Sequence, residues 1–145
     1  MDDIEAATDW LRMRADVDTR RMLIGGTSRG GILSVAFVAR RPEVYLGAIN
    51  FVGGWIAEGC GDHRLINRRL FEAGVPFPGP SLWLYAANDS FYSLGYSRNH
   101  FQSFTAAGGF GTFHEFIRAP GLNGHFLISD SALWSPTLED FLASL

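Results

Sequence analysis

Apolar positions along the chain alternate between two rhythms. Residues 2–14 place Ile4, Ala7 and Leu11 at helical spacing behind an acidic first turn. A short apolar run at 22–24 reads as a strand. Residues 30–40 are apolar on nearly every side (Ile32, Leu33, Val35, Ala36, Phe37, Ala39), which predicts a buried helix ended by Pro42. Residues 46–52 predict a second strand, stopped by Gly53-Gly54. A helix is expected over 64–73, closed off by Pro76, Pro78 and Pro80. Residues 81–87 form a third strand with a continuous apolar run. Residues 97–107 set Phe101 and Phe104 on one helix face, with Gly108-Gly109 to cap its end. A fourth strand covers 112–118. Ser135 is expected to cap a last helix, with Pro136 in its first turn and a stripe of Leu138, Phe141, Leu142 and Leu145.

Short strands separated by helices, with continuous rather than alternating apolar runs, argue for a parallel sheet covered on both faces. Such sheets bind ligands at the carboxyl ends of their strands, so the loops after the strands are where chemistry is expected.

Composition narrows the function classes. At 145 residues the chain is one domain at most, and 47% hydrophobic residues with 19% charged is a globular balance. The net charge is −3 and no basic run exists, since Arg40-Arg41 and Arg68-Arg69 are only pairs. Neither nucleic acid nor an anionic membrane is an expected partner. One cysteine, Cys60, excludes an internal disulfide and a cysteine-based metal cluster, and it reads as a buried or idle thiol. No run of 18 apolar residues is present, and Met1-Asp2-Asp3 does not open a signal peptide. The cell compartment stays open.

The loop after the first strand reads Gly26-Thr27-Ser28-Arg29-Gly30, a G-x-S-x-G pattern between a strand and an apolar helix. A nucleophilic serine needs this setting. It must stand on a sharp strand-to-helix turn, with glycines where strand and helix approach closely. The helix N-terminus then aims free N–H groups at the reacting centre. The other reading is a glycine-rich turn with an incidental serine. A hydroxyl also needs a base, and the base an orienting acid. Of the histidines, His125 lies in a flexible loop directly after the fourth strand. His100 falls on a helix, His114 inside a strand, and His63 precedes any plausible acid except Asp62, which adjoins it. Among acids, Asp89 directly follows the third strand, although Asn88-Asp89-Ser90 is also good turn chemistry. Asp62 and Glu58 stand farther from a strand end, and Glu72 and Glu115 fall within elements. Ser28 as nucleophile, Asp89 as acid and His125 as base therefore converge on one rim of one sheet.

The Gly26–Gly31 loop, the Asp89 loop and the Gly124-His125 loop together resemble the dienelactone hydrolase-like branch of the α/β-hydrolases, over nearly the whole chain. The resemblance implies a partial α/β-hydrolase fold. About four parallel strands with crossover helices are present of about eight, and 1–145 is the C-terminal portion of a single domain whose N-terminal strands precede residue 1. Met1 would then be an internal methionine. The resemblance also implies that residues 50–55 border the site, with Trp55 either lining the substrate pocket or simply packed. Dienelactone hydrolases in the narrow sense use a cysteine at the elbow, so Ser28 points to a general carboxylic-ester activity on a small-molecule ester. No metal or organic cofactor is expected. The backbone N–H of Arg29 is the one oxyanion donor left, and losing a second costs about 10²–10³ in rate. Without its neighbour, the first strand presents an unpaired apolar edge that invites aggregation or dimerisation. Two other readings compete: a prolyl-oligopeptidase-like peptidase, which shares the elbow and the Ser-Asp-His order, and a non-catalytic remnant or interaction module.

Overall fold

The computed structural model describes residues 1–145. Four strands form one sheet in the order β1-β2-β3-β4: β1 Met22–Thr27, β2 Tyr45–Phe51, β3 Ser81–Ala86 and β4 Gly111–Phe116. Every neighbouring pair is parallel. Each strand occupies an apolar run expected from the sequence. β1 runs three residues farther than its apolar core, because Gly25, Gly26 and Thr27 keep pairing with Ile49, Asn50 and Phe51. β3 is buried along its full length, as expected for a strand covered on both faces.

Five helices surround the sheet: α1 Asp2–Arg12, α2 Arg29–Val38, α3 His63–Glu72, α4 Leu94–Ala106 and α5 Ser131–Ala143. α2 is apolar nearly all round because it lies against both β1 and β2, and Ile32, Val35, Ala36, Phe37 and Val38 are buried. Two apolar clusters result. The larger is built on Leu82, Trp83, Leu84 and Tyr85 of β3 with Phe71, Phe104 and Leu127; the smaller packs Phe37 and Val38 against Met22, Tyr45 and Phe77. None of the helices is long and apolar enough to cross a membrane. The outer edge of β1 has no partner strand.

Three expectations are corrected. α4 starts at Leu94, three residues early, because Ser93 caps it by accepting a hydrogen bond from the Tyr96 N–H at 3.3 Å. The His125 segment is not a flexible loop but a short 3-10 helix, Gly124–Ser129. It runs almost directly into α5, so that helix starts at Ser131 rather than at Ser135, and Pro136 lies inside it. Proline removes one helical hydrogen bond. The early start is favoured because it lays Leu133 and Trp134 onto the core, with Trp134 edge-on to Phe51 at 4.9 Å between ring centres.

Candidate active site at the carboxyl edge of the sheet

Backbone strain marks this edge. Four non-glycine residues have positive φ, and three of them directly follow strands: Ser28 (54°) after β1, Val52 (44°) after β2 and Asn88 (61°) one residue beyond Ala87 after β3. Positive φ is costly for any side chain and most of all for a β-branched one, so the surrounding contacts must enforce it. They do so here. The Ser28 N–H donates to the Phe51 carbonyl at 2.9 Å, the Val52 N–H to Leu84 at 2.9 Å, and the Gly54 N–H to the Ser28 carbonyl at 3.2 Å. The turns at Ser28 and Val52 are thus tied to each other, and the second to β3, while the Asn88 carbonyl accepts from Gly124 at 3.1 Å.

Ser28 is the N-cap of α2, with φ 54° and ψ −119°. Its own carbonyl accepts from Gly31 (3.0 Å) and Ile32 (3.3 Å), which fixes the first turn of the helix beneath it. The N–H of Arg29 makes no backbone hydrogen bond, as is usual for the first residue of a helix, and stays free beside the hydroxyl. Gly26 allows the close approach: a Cβ there would stand 2.5 Å from the Gly30 carbonyl carbon.

Asp89 and His125 are joined. His125 Nδ1 lies 3.1 Å from Asp89 Oδ2, and the Asp89 side chain is wholly buried. The other carboxylate oxygen accepts from the N–H groups of Phe91 (2.7 Å) and Tyr92 (3.0 Å), so the acid is fixed by its own turn. The turn chemistry of Asn88-Asp89-Ser90 and the pairing to His125 coexist. Ser28 Oγ makes no hydrogen bond to His125, but both side chains line one cavity of about 400 Å³, together with Arg29, Trp55, Phe91 and Tyr92. Cys60 is on the same wall and is exposed, which rules out the buried alternative for its thiol and leaves the idle one. Trp55 is a lining residue, 38% exposed, with the Arg29 guanidinium over its ring at 5.3 Å and Arg29 Nε donating to its carbonyl at 3.4 Å.

The alternative bases and acids are engaged elsewhere. His63 Nδ1 meets the Tyr96 hydroxyl at 3.0 Å, His100 is buried between Phe71 and Tyr96, and His114 sits in β4 opposite Leu84. Glu58 accepts from the Ser93 N–H, Glu72 pairs with Arg68, and Glu115 with Arg98. Asp62 lies in a left-handed turn at the start of α3.

Four residues that sequence reasoning missed build the site's frame. Asn123 Oδ1 accepts from the N–H groups of His125 (2.9 Å) and Ser90 (3.2 Å), while its Nδ2 donates to Ser90 Oγ (2.7 Å); this fastens the loop of the imidazole to the loop of the carboxylate. Arg118 holds that segment from behind, donating to the Asn123 carbonyl at 2.7 Å and to Ser129 Oγ at 3.3 Å. Asn67, fully buried, accepts from the Trp55 and Ile56 N–H groups and donates to the Ile56 carbonyl and the Tyr96 hydroxyl. Tyr92 faces Ser28. Burial pushes its phenol up to about 12, against the opposing effect of the Ser28 hydroxyl, so it remains a proton donor. One sequence signal could have found Asn123, since Asn123-Gly124 is a turn pair adjoining the histidine; the packing of Gly54 against the Tyr92 ring, where a Cβ would collide, shows only in the structure.

The chain matches the model of the prolyl oligopeptidase family over residues 1–92, a span that includes Ser28 and Asp89. No curated protein shows significant sequence similarity to it. Among solved structures, a protein of Klebsiella pneumoniae assigned to the dienelactone hydrolases is similar, with a TM-score of 0.62 at 21% identity over 88% of this chain and 50% of that one. Est1E from Butyrivibrio proteoclasticus, solved with ferulic acid bound, gives a TM-score of 0.62 at 16% identity, covering 94% of this chain and 66% of that one. The acylaminoacyl peptidase of Pyrococcus horikoshii gives 0.59 at 15%, covering 88% and 24%. The chain therefore spans about half the length of the Klebsiella protein, and its four-stranded sheet is a partial α/β-hydrolase fold. By the match over its first 92 residues, the chain belongs to the prolyl oligopeptidase family, within the α/β-hydrolase superfamily.

Proposed function

We propose that this chain carries the reactive portion of a serine hydrolase acting on carboxylic esters, with Ser28, His125 and Asp89 as its triad. His125 accepts the Ser28 proton at the ring nitrogen not facing Asp89, and the serine oxygen attacks the ester carbonyl. Asp89 holds the imidazole tautomer and stabilises the imidazolium. The free N–H of Arg29 donates to the developing oxyanion. The carbon–oxygen bond to the leaving alkoxide breaks as the imidazolium returns the proton, and water then hydrolyses the acyl-enzyme by the same relay in reverse.

The observation that supports this most is the buried Asp89 carboxylate at 3.1 Å from His125 Nδ1 on the cavity shared with a positive-φ serine. A serine-to-histidine bond that forms only with substrate in place is common in such sites. The test is labelling with a fluorophosphonate, which captures an activated serine. The protein should label at Ser28 and the Ser28→Ala variant should not; label elsewhere, or none on the folded protein, would overturn the assignment.

The family match favours a second reading, hydrolysis of a peptide or amide bond at the same serine. Rates on an acyl ester and on the anilide of the same acyl group separate the two. The ester reading expects turnover of the ester alone.

A further inference from the structure

A second cleft lies away from Ser28, between α3 and α4. It has a volume of about 250 Å³ and is lined by Arg64, Arg68, Tyr96, Asn99, His100 and Ser103. Its chemistry is the opposite of the aromatic cavity at the sheet edge. Arg64 and Arg68 stand one turn apart on α3, and Asn99 and Ser103 one turn apart on α4, so each helix turns one polar face to the cleft. No carboxylate lines it. Arg64 has no ion-pair partner, and Arg68 engages Glu72 through Nε alone, leaving its terminal nitrogens available.

The floor supplies an independent observation. His100 is 7% exposed, and its imidazole makes no hydrogen bond to the protein. It is packed edge-on to Tyr96 (4.5 Å between ring centres) and against Phe71 (5.7 Å). Its ring nitrogens are not sealed away as buried unpaired atoms; they reach the cleft, where a ligand oxygen can meet them. Burial is the main cause that lowers its pKa to about 4; Coulombic repulsion from His63, Arg64 and Arg68 adds to it, and Glu58 opposes it. At neutral pH the ring is therefore uncharged and keeps one N–H to donate. The cleft presents two guanidinium groups, an amide, a hydroxyl and an imidazole, a donor-rich set around a positive field.

We propose that Arg64, Arg68, Asn99, Ser103 and His100 form a binding site for a phosphoryl group. Guanidinium forks suit the tetrahedral, multiply charged oxygens of phosphate, and the remaining donors complete its shell. The site is independent of the assignment of Ser28. It shares Tyr96 with the Asn67 network that holds Trp55, and the hydroxyl of Tyr96 faces that network.

The test is a titration of the protein, followed by NMR of the histidine ring protons, with inorganic phosphate and separately with phenyl phosphate. The His100 resonances should shift saturably with a dissociation constant of about 1 mM for at least one of the two ligands. Binding by inorganic phosphate alone identifies a free anion as the occupant, and tighter binding of phenyl phosphate a phosphate monoester. Combined Arg64→Gln and Arg68→Gln substitutions, both at exposed positions, should weaken the binding about tenfold or more, with the remaining spectrum unchanged. Ser103→Ala gives a milder loss and serves as the second variant. A shift reproduced by sodium chloride at matched ionic strength, an equal shift in the double variant, or no saturable shift with either ligand would overturn the proposal.

Discussion

Gly26 and Gly30 occupy symmetrical places around Ser28, yet they should respond oppositely to an added methyl group. In Gly26→Ala the new Cβ would lie 2.5 Å from the Gly30 carbonyl carbon, 2.6 Å from its oxygen and 2.9 Å from its Cα, where real Cβ atoms essentially never come within 3.0 Å. All three obstructing atoms are backbone, in a turn fastened by the hydrogen bonds of Gly31 and Ile32 to the Ser28 carbonyl. The turn must open by about half an ångström, and forced displacement of packed backbone costs about 3 kcal/mol. Because Ser28 sits in that turn, its hydroxyl moves as well, and the labelling rate by a fluorophosphonate should fall about 10²-fold. In Gly30→Ala the Cβ meets nothing within 4 Å, and the position lies in the first turn of α2. Alanine there should stabilise by up to about 0.5–1 kcal/mol, through its better helix propensity. Urea unfolding of the two variants should thus separate them by about 3–4 kcal/mol, with melting points apart by about 2–4 °C for each kcal/mol. The reasoning fails if Gly26→Ala is as stable as the parent, or if Gly30→Ala is the more damaged of the two.

Three further outcomes are expected. Between pH 6.5 and about 4 the unfolded chain holds a proton on residue 100 that the folded chain lacks, so stability should fall by up to about 3 kcal/mol, less where solvent screens the ring, as pH drops through that window; His100→Phe should remove this part of the decline in unfolding experiments at neutral and acid pH. The raised Tyr92 phenol acts at the other end: above about pH 10 unfolded tyrosine ionises while Tyr92 stays protonated, so stability is lost as pH rises toward about 12, and Tyr92→Phe should flatten that loss. Arg118→Ala removes two hydrogen bonds behind the His125 segment, which should cost about 1–2 kcal/mol and raise amide exchange across residues 122–126, with Arg118→Lys a poor substitute because one ammonium cannot reach both acceptors.

The strands were legible because a strand buried on both faces must be apolar at consecutive positions, as Leu82 to Ala86 are. Ser28, Asp89 and His125 could be singled out because a parallel sheet gathers the ends of its strands at one edge, and each of the three follows a strand end. What stayed hidden depends on partners distant in sequence. Asn123 looks like a turn residue until Ser90 is seen opposite it. Asn67 looks like a polar position on an amphipathic helix until the Trp55 and Ile56 backbone is seen above it. Tyr92 reads as one more aromatic in an aromatic-rich chain. The start of α5 was misjudged because Ser135-Pro136 is a strong local start signal, overridden by the burial of Leu133 and Trp134. The cleft between α3 and α4 needs the relative rotation of two helices, which spacing along one helix does not encode.

The strand order β1-β2-β3-β4 has a consequence for biosynthesis. Because space follows sequence, β2, β3 and β4 each leave the ribosome after the strand they pair with, so these three add at one side of the sheet. The hydroxyl of Ser28 is made first, the carboxylate of Asp89 next and the imidazole of His125 last. On the proposed assignment, a nascent chain halted before residue 125 would hold the four-stranded sheet without the imidazole that activates its serine.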